Sequence, residues 1–156
     1  MQKNRESTSG GMILLGGHVI KAWSTTQNVI ALSSSEAEYY GIVKGGSQGT
    51  GAQSILNDMG IARGIKLCTD ASAAKGIASR KGLGKARHVE VNQLWLQDKV
   101  GRGDINVLKV SGHENIADAL TKHIEASKLE KHCMKIGLNI SGDRHNLMPK
   151  VAEDES

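Results

Sequence analysis

Short apolar runs alternate with longer helical patterns along this chain of 156 residues, and this order constrains its fold more than any other feature. Two of the apolar runs flank the pair Gly16-Gly17, and a Gly-Gly pair between such runs is a hairpin signal. Residues 28–32 either extend the second strand of this hairpin or add a short strand. The predicted strands are residues 11–15, 18–24, 64–70 and 104–112. Strands that alternate with helices predict an α/β fold, with a mixed sheet and helices packed against it.

The longest helical pattern begins at the serines of residues 33–35 and ends near Met59, with Gly60 as its C-cap. This segment contains five glycines, each of which costs a helix interior about 1 kcal/mol relative to alanine. The helix is therefore either broken or packed so closely against its neighbours that it needs small residues. The other predicted helices are residues 71–79 and 89–103, and residues 113–137 are predicted to form one amphipathic helix or a pair of helices.

A chain of this length suits one domain with a single hydrophobic core. Residues 1–9 are polar and are predicted to be an unstructured N-terminal stub, residues 10–138 form the domain, and residues 139–156 form a flexible tail. Aromatic residues make up only 3% of the chain and phenylalanine is absent, so the core is predicted to be aliphatic. This composition also offers no aromatic platform on which single-stranded bases could stack.

The chain is mildly basic, with a formal net charge of +4. Such a charge is compatible with a polyanionic partner but does not by itself indicate one. The densest basic cluster lies in a glycine-containing loop and consists of Arg80, Lys81, Lys85, Arg87 and His88. Two interpretations of this cluster stay open, namely a solvated surface loop or a contact with a phosphate backbone.

Neither the cysteines nor the N-terminal segment indicates secretion or a membrane. Cys68 and Cys133 lack the C-x-x-C spacing of a metal site, so we expect neither a disulfide framework nor a zinc knuckle. We expect the protein to reside in a reducing compartment. The apolar run from Met12 to Leu15 is too short for the core of a signal peptide or for a membrane span. We therefore expect an intracellular protein, cytoplasmic or nuclear, without membrane contact.

The stretch ALSSSEAEYYG, residues 31–41, carries two glutamates at a predicted helix start. Both fit a capping box, Ser33 with Glu36 and Ser35 with Glu38. Because residues two apart lie about 200° apart around a helix, the two glutamates face nearly opposite directions. Glu38 shares its face with small and apolar residues that allow close approach to a sheet. We predict that Glu38 faces the sheet and Glu36 faces outward; the alternative is two exposed capping residues.

Two aspartates and a histidine lie near the ends of predicted strands. Asp70 ends one strand and precedes a helix, a position where α/β proteins bind ligands, but an N-cap for that helix is the simpler interpretation. Asp118 lies about one turn into a predicted helix, where the helix dipole favours an acid without any catalytic role. His113 precedes the same helix and, taken alone, indicates a surface residue. The stretch HENIA is not the zinc motif H-E-x-x-H, because residue 117 is alanine.

These features occur in the order of a known family. An S-T-S-G block is followed by A-L-S-S-x-E-A-E-Y, a strand-borne T-D, an R-H-V-E-V helix and an A-D-x-L-T-K ending. Across residues 5–138, this order and spacing resemble the ribonuclease H domain at the C-terminal end of copia-type retrotransposon Pol polyproteins. The resemblance implies a ribonuclease H-like sheet, and an upstream reverse transcriptase part of the polyprotein as a partner. It also implies residence in a transposon particle or in the nucleus.

The resemblance further implies a magnesium-dependent endonuclease that hydrolyses the RNA strand of RNA–DNA hybrids. The family uses four carboxylates and two Mg²⁺ ions, with Mn²⁺ as an alternative. Clustered carboxylates repel one another, and a divalent cation that prefers oxygen ligands allows them to stay ionised together. On this pattern Glu38, Asp70 and Asp118 are catalytic metal ligands. His113 loosely matches a histidine that assists proton transfer or product release.

The chain departs from the family at its first carboxylate. In the family this aspartate lies on a strand upstream of the S-T-S-G block, and none of the six residues before Ser7 is an aspartate. Glu6 does not substitute for it, because it lies in the polar lead-in to the next strand. We expect the first, central strand of the sheet to be missing and cleavage by this chain alone to be weak or absent. Three hypotheses stay open: a ribonuclease H domain that needs its upstream part, a hybrid-binding module without catalysis, and a decayed transposon remnant.

Overall fold

The computed structural model describes residues 7–28, 30–82 and 94–138. These residues form four strands, four α-helices and one 3₁₀ helix, which confirms the predicted α/β class. In chain order they are β1 (Thr8–Leu15), β2 (His18–Thr26), α1 (Ser34–Asp58), β3 (Ile65–Thr69), α2 (Ser72–Ala78), α3 (Trp95–Gly101), β4 (Ile105–Lys109), the 3₁₀ helix Ile116–Leu120 and α4 (Ala126–Lys135). None of the described helices is long and apolar enough to cross a membrane.

Strands β1 and β2 form the antiparallel hairpin that the Gly-Gly pair predicts. Gly16 and Gly17 have φ angles of 58° and 87°, which residues with side chains rarely adopt, and they close a two-residue turn. β1 begins at Thr8, inside the segment predicted to be an unstructured stub. One reason is that Ser9 is buried and its Oγ accepts a hydrogen bond from Gln27 Nε2 at 2.7 Å, which ties this polar segment to the fold.

Helix α1 is unbroken despite its five glycines. A Cβ atom added at Gly45 would lie 3.0 Å from Leu67 Cδ1 of β3, and one added at Gly46 would lie 3.0 Å from Leu96 Cδ1 of α3. These two glycines are explained by close packing, the second of the two predicted alternatives. Gly51 has open space around its Cα, so nothing in the described structure requires a glycine there.

Strands β3 and β4 are parallel and form a second sheet that shares no ladder with the hairpin. Helix α1 packs against both β1 and β3 and so connects the two sheets. The hydrophobic core lies between α1, α2, α3 and the second sheet, and its largest fully buried side chains are Tyr39, Leu96 and Ile105. The core is mainly aliphatic, as predicted, but its largest fully buried side chain is a tyrosine.

Residues 113–137 form two helices, the second of the two predicted alternatives, and the first of them is a short 3₁₀ helix. Packing against the hairpin accounts for the break between them. A Cβ atom added at Gly10 of β1 would lie only 2.6 Å from Thr121 Cγ2 and 2.9 Å from Leu120 Cβ. The end of the 3₁₀ helix is therefore held against β1, and the chain turns away before α4 begins.

Two other predicted segments differ from the structure. The described part of residues 28–32 is not a strand, because Leu32 N already donates a hydrogen bond within the cap of α1. The helix predicted over residues 89–103 is described from Trp95 to Gly101, and residues 83–93 lie outside the described part of the chain.

Candidate active site in a groove between the two sheets

A groove of about 840 Å³ separates the free edges of β1 and β3. Every residue from Ser7 to Leu15 lines one side of it, and every residue from Arg63 to Asp70 lines the other. Helix α1 forms the floor, mostly with small or aliphatic residues such as Gly41, Gly45 and Ala52. The groove therefore runs along the whole length of both strands.

Four carboxylates line this groove: Glu114, in the turn after β4, and the three acids of the motif pattern, which come from three separate parts of the chain. Glu38 lies in the second turn of α1, Asp70 directly follows β3, and Asp118 lies in the 3₁₀ helix. Burial raises the pKa of Glu38, and the charges of Asp70 and Asp118 raise it further, whereas the ammonium group of Lys122 lowers it. Because Coulombic interactions weaken with distance, the effects of Asp70 and Asp118 on Glu38 indicate that both acids lie near it in the groove.

Glu36 is only 5% exposed, so the prediction that it faces outward is wrong. Its backbone N donates a hydrogen bond to Ser33 Oγ at 3.2 Å, and its Oε2 accepts one from Leu32 N at 3.0 Å. Glu36 thus caps α1, as the capping box predicts, but it does so from inside the protein.

The prediction for Glu36 fails because the face of α1 that carries it packs against the core. Tyr39 and Tyr40, which share a face with Glu36, are buried in the core. The opposite face carries Glu38 and lies along the groove, as predicted. Glu38 stays accessible to solvent and makes no hydrogen bond or ion pair with another described residue, so its carboxylate is available to a ligand.

Asp70 is not an N-cap, which was the simpler interpretation of its position. The N-cap of α2 is Ala71, without a side-chain hydrogen bond, while Thr69 Oγ1 accepts a hydrogen bond from Ala71 N at 3.2 Å. A Cβ atom added at Gly112 would lie 3.5 Å from Asp70 Oδ2, so the turn after β4 passes close to this carboxylate. Among the described residues no side chain donates a hydrogen bond to Asp70, which leaves the carboxylate free to act in the groove.

Asp118 is paired with Lys122, which ends the A-D-x-L-T-K stretch but was not predicted to be a site residue. Its Oδ1 accepts hydrogen bonds from Lys122 Nζ at 3.2 Å and from Asn115 Nδ2 at 3.3 Å. The hydrogen bond to Asp118 is the main cause that raises the pKa of Lys122, and the charges of Asp118, Asp70 and Glu38 add to it against the effect of burial. Lys122 therefore offsets part of the acidic charge, and its spacing of four residues from Asp118 was the available sequence signal.

His113 is exposed in the turn between β4 and the 3₁₀ helix and does not line the groove. The next two residues, Glu114 and Asn115, do line it. The structure therefore does not bring His113 into the site with the three carboxylates.

Of the predicted basic cluster, the structure describes only Arg80 and Lys81, and Lys85, Arg87 and His88 lie outside the described residues. Arg80 is half-buried, and its charge acts on Tyr39, whose pKa burial raises to about 12 while Arg80 opposes the rise. Lys81 is exposed. Neither residue lines the groove.

Gln97, which no sequence pattern singled out, holds the start of this basic loop in place. Gln97 of α3 is 7% exposed and its Nε2 donates hydrogen bonds to Ile77 O at 2.8 Å and Gly82 O at 3.0 Å. Its Oε1 accepts a hydrogen bond from Gly82 N at 2.8 Å. Gln97 thus holds the end of α2 and the segment after it against α3.

The donor chemistry of the three acids suits Mg²⁺, but their arrangement does not. Carboxylate oxygens are the ligands that Mg²⁺ prefers. Within residues 7–28, 30–82 and 94–138, however, no three acidic, histidine or cysteine side chains are grouped closely enough to hold a metal ion. Asp118 is also engaged by Lys122. The described residues by themselves therefore do not fit a bound metal ion.

The chain is similar to parts of transposon polyproteins. It is 30% identical, over 129 residues and 81% of its length, to the retrovirus-related Pol polyprotein from transposon TNT 1-94 of Nicotiana tabacum. It is 28% identical, over 135 residues and 85% of its length, to the corresponding polyproteins from transposons RE1 and RE2 of Arabidopsis thaliana. The chain spans only 9% to 10% of the length of these curated relatives. No family model matches the chain and no solved structure matches it. Its homologues are therefore retrovirus-related Pol polyproteins of transposons, and the chain corresponds to about a tenth of the length of each.

Proposed function

We propose that this chain is a ribonuclease H-type domain of a retrotransposon Pol polyprotein, which hydrolyses the RNA strand of RNA–DNA hybrids. One observation carries the proposal: Glu38, Asp70 and Asp118, which lie far apart in the sequence, line one groove and interact through their charges. The motif pattern of the sequence singles out the same three acids. The Pol polyproteins among the relatives are consistent with this assignment.

The proposed reaction uses Mg²⁺, and the support for it is the chemistry of the donors. Because the described acids do not form a metal-holding group, we propose that a fourth carboxylate completes the set. It would lie on a strand upstream of β1 in the polyprotein. We expect the chain alone to bind Mg²⁺ weakly and to cleave hybrids very weakly or not at all.

The proposed substrate is a polyanion, and the basic loop of residues 80–88 is its proposed contact with the phosphate backbone. Each phosphate contact releases counterions, so binding of the hybrid should weaken steeply as salt rises. Replacing the exposed Lys81 by alanine should reduce the slope of log affinity against log salt by about one. Hybrid binding that does not depend on salt would argue against this loop as the binding site.

Cleavage of a hybrid with labelled RNA tests the function. The chain is compared with a version that carries an upstream strand ending in Asp. We expect the extended version to cut the RNA strand in Mg²⁺, to leave single-stranded RNA intact, and to lose activity with Asp70→Asn. Strong cleavage by the unextended chain, abolished by the same substitution, would contradict the need for the upstream strand.

The same assay separates the alternative function. A non-catalytic hybrid-binding module would bind the hybrid with and without the extension and would cleave it in neither case. A decayed remnant would neither bind the hybrid with salt-dependent affinity nor gain activity from the extension.

A further inference from the structure

The side chain of Gln27 ties the hairpin to the turn of α1 that carries Glu38. Gln27 directly follows β2, and its backbone N donates a hydrogen bond to Ser7 O at 2.7 Å. Its Nε2 donates two more, to Ser9 Oγ of β1 at 2.7 Å and to Ala37 O of α1 at 2.8 Å. Ala37 is the residue before Glu38. The amide group therefore joins both strands of the hairpin to the helix next to the carboxylate.

The partners of this amide group fix its orientation. Ala37 O can only accept a hydrogen bond, so the amide nitrogen of Gln27, and not the amide oxygen, must face it. Gln27 Oε1 is left in a buried position, where it accepts no hydrogen bond from a described residue. A buried acceptor without a partner opposes folding. Stability alone therefore does not explain a glutamine at this position, and the connection made by its amide nitrogen does.

Two adjacent residues near the start of β1 reach toward two different helices. Successive side chains of a strand point to opposite faces. Ser9 points to α1, where a Cβ atom added at Gly41 would lie 3.7 Å from its Oγ. A Cβ atom added at the next residue, Gly10, would lie 2.9 Å from a side-chain atom of the 3₁₀ helix that carries Asp118. β1 thus bridges the helix of Glu38 and the helix of Asp118.

We propose that Gln27 is a positioning residue for the active site, which fixes Glu38 of α1 relative to Asp118 of the 3₁₀ helix through the hairpin. The hydrogen bonds of its side chain go to Ser9 and Ala37 and to neither carboxylate, so it acts through these two residues. Without it the hairpin keeps its own strand pairing but can turn relative to α1, which changes the separation of the two acids. The proposal deepens the proposed function, and it rests on that function only for the claim that the two acids act together.

Residual dipolar couplings of the ¹⁵N-labelled full chain, without nucleic acid and without Mg²⁺, test the proposal, because they report the orientation of the hairpin relative to α1. Gln27→Met keeps the length of the side chain and removes both donated hydrogen bonds. In the unsubstituted chain we expect one alignment tensor to fit the N–H couplings of the hairpin and of α1. In Gln27→Met, at a temperature where the variant is folded, we expect this common fit to be lost. A common fit that is absent from the unsubstituted chain, or that survives in Gln27→Met, would overturn the proposal.

Gln53→Met is the matched control. Gln53 lies on the same helix, and its Nε2 also donates a hydrogen bond to a backbone carbonyl, Arg63 O at 2.6 Å, but within the described chain it donates none to the hairpin. This variant should keep the common fit. Ser9→Ala removes only one of the two bonds of Gln27, so the hairpin couplings should deviate in the same direction but less, and this milder variant carries the test if Gln27→Met does not fold. Loss of the fit in Gln53→Met, or couplings unchanged in Ser9→Ala, would overturn the proposal.

Two further measurements separate positioning from a contribution to stability alone. Because Gln27→Met also removes the buried unpaired oxygen, we expect its Tm to change by no more than about 5 °C. In the chain extended with the upstream strand, Gln27→Met should lower kcat for hybrid cleavage about tenfold or more and change KM less than about twofold, because a misplaced acid slows the chemical step. A large loss of Tm with kcat unchanged would overturn the proposal. An extended chain that cleaves nothing would contradict the nuclease function alone, and the dipolar couplings would still decide the role of Gln27.

Discussion

Replacing each glutamate at the start of α1 by alanine should separate a structural acid from a catalytic one. Glu36 Oε2 accepts the hydrogen bond from Leu32 N at 3.0 Å, and the side chain is buried. Removing a hydrogen bond to a carboxylate costs about 1.5–3 kcal/mol, and removing an acid from the first turn costs about 0.3–1 kcal/mol. Alanine, as the better helix former, returns a few tenths of a kcal/mol. We expect Glu36→Ala to lower the free energy of unfolding by about 2–3 kcal/mol, or Tm by about 4–12 °C.

Glu38→Ala should have the opposite effect on stability. Burial and the charges of Asp70 and Asp118 raise the pKa of Glu38 above its ordinary value of 4.5. The protonated carboxyl is therefore favoured by folding, and this contribution is present below pH 4.5 and is lost as the pH rises through the raised pKa. At pH 7 the ionised Glu38 opposes folding, so Glu38→Ala should leave stability unchanged or increase it.

Urea unfolding followed by circular dichroism, at pH 7 and at pH 4 with EDTA, measures both effects. Glu130→Ala on the exposed side of α4 is the matched control, because it also replaces a helical glutamate. We expect Glu36→Ala to be clearly less stable than the control at pH 7. We also expect any gain from Glu38→Ala to diminish at pH 4. Equal destabilisation by Glu36→Ala and Glu38→Ala would refute the assignment of their two roles.

Three further predictions test the surroundings of the site. Gln97→Leu removes three hydrogen bonds from a buried position and should cost about 1–3 kcal/mol in urea unfolding, and a loss within the error of the measurement would contradict its role. Gly51→Ala should raise the free energy of unfolding by about 1 kcal/mol, because alanine is the better helix former and has room there. Gly46→Leu should lower Tm, because the added side chain would collide with α3. A higher Tm for Gly46→Leu than for Gly51→Ala would refute the packing of α1. Lys122→Met should raise the pKa of Glu38 further in an NMR titration, since Lys122 lowers it, and an unchanged pKa would place Lys122 away from the acids.

Local patterns were enough to predict most of the secondary structure. The pair Gly16-Gly17 predicted the hairpin because a two-residue turn with positive φ angles needs such residues. The start of β1 was missed because Thr8 and Ser9 carry no apolar signal, and their place in the strand depends on pairing with β2 and on Gln27. The 3₁₀ helix was missed for a similar reason, since its end is set by contact with Gly10.

The site was predicted in part. The motif pattern identified Glu38, Asp70 and Asp118, which the structure brings to one groove. The pattern includes Lys122 at the end of A-D-x-L-T-K but assigns it no role, because its ion pair with Asp118 depends on how the chain turns after the 3₁₀ helix. The predicted direction of Glu36 was wrong because its face of α1 packs against the core, whereas the opposite face lines the groove.

Hybrid cleavage by the chain extended with a strand ending in Asp tests the central claim most directly, when Glu38→Gln is compared with Glu36→Gln. Both substitutions keep the size of the side chain and remove one negative charge from the same helix. We predict that Glu38→Gln abolishes Mg²⁺-dependent cleavage of the RNA strand, whereas Glu36→Gln retains it at temperatures where the variant is folded. Cleavage that survives Glu38→Gln, or that is lost only with Glu36→Gln, would contradict the assignment of the groove as the active site.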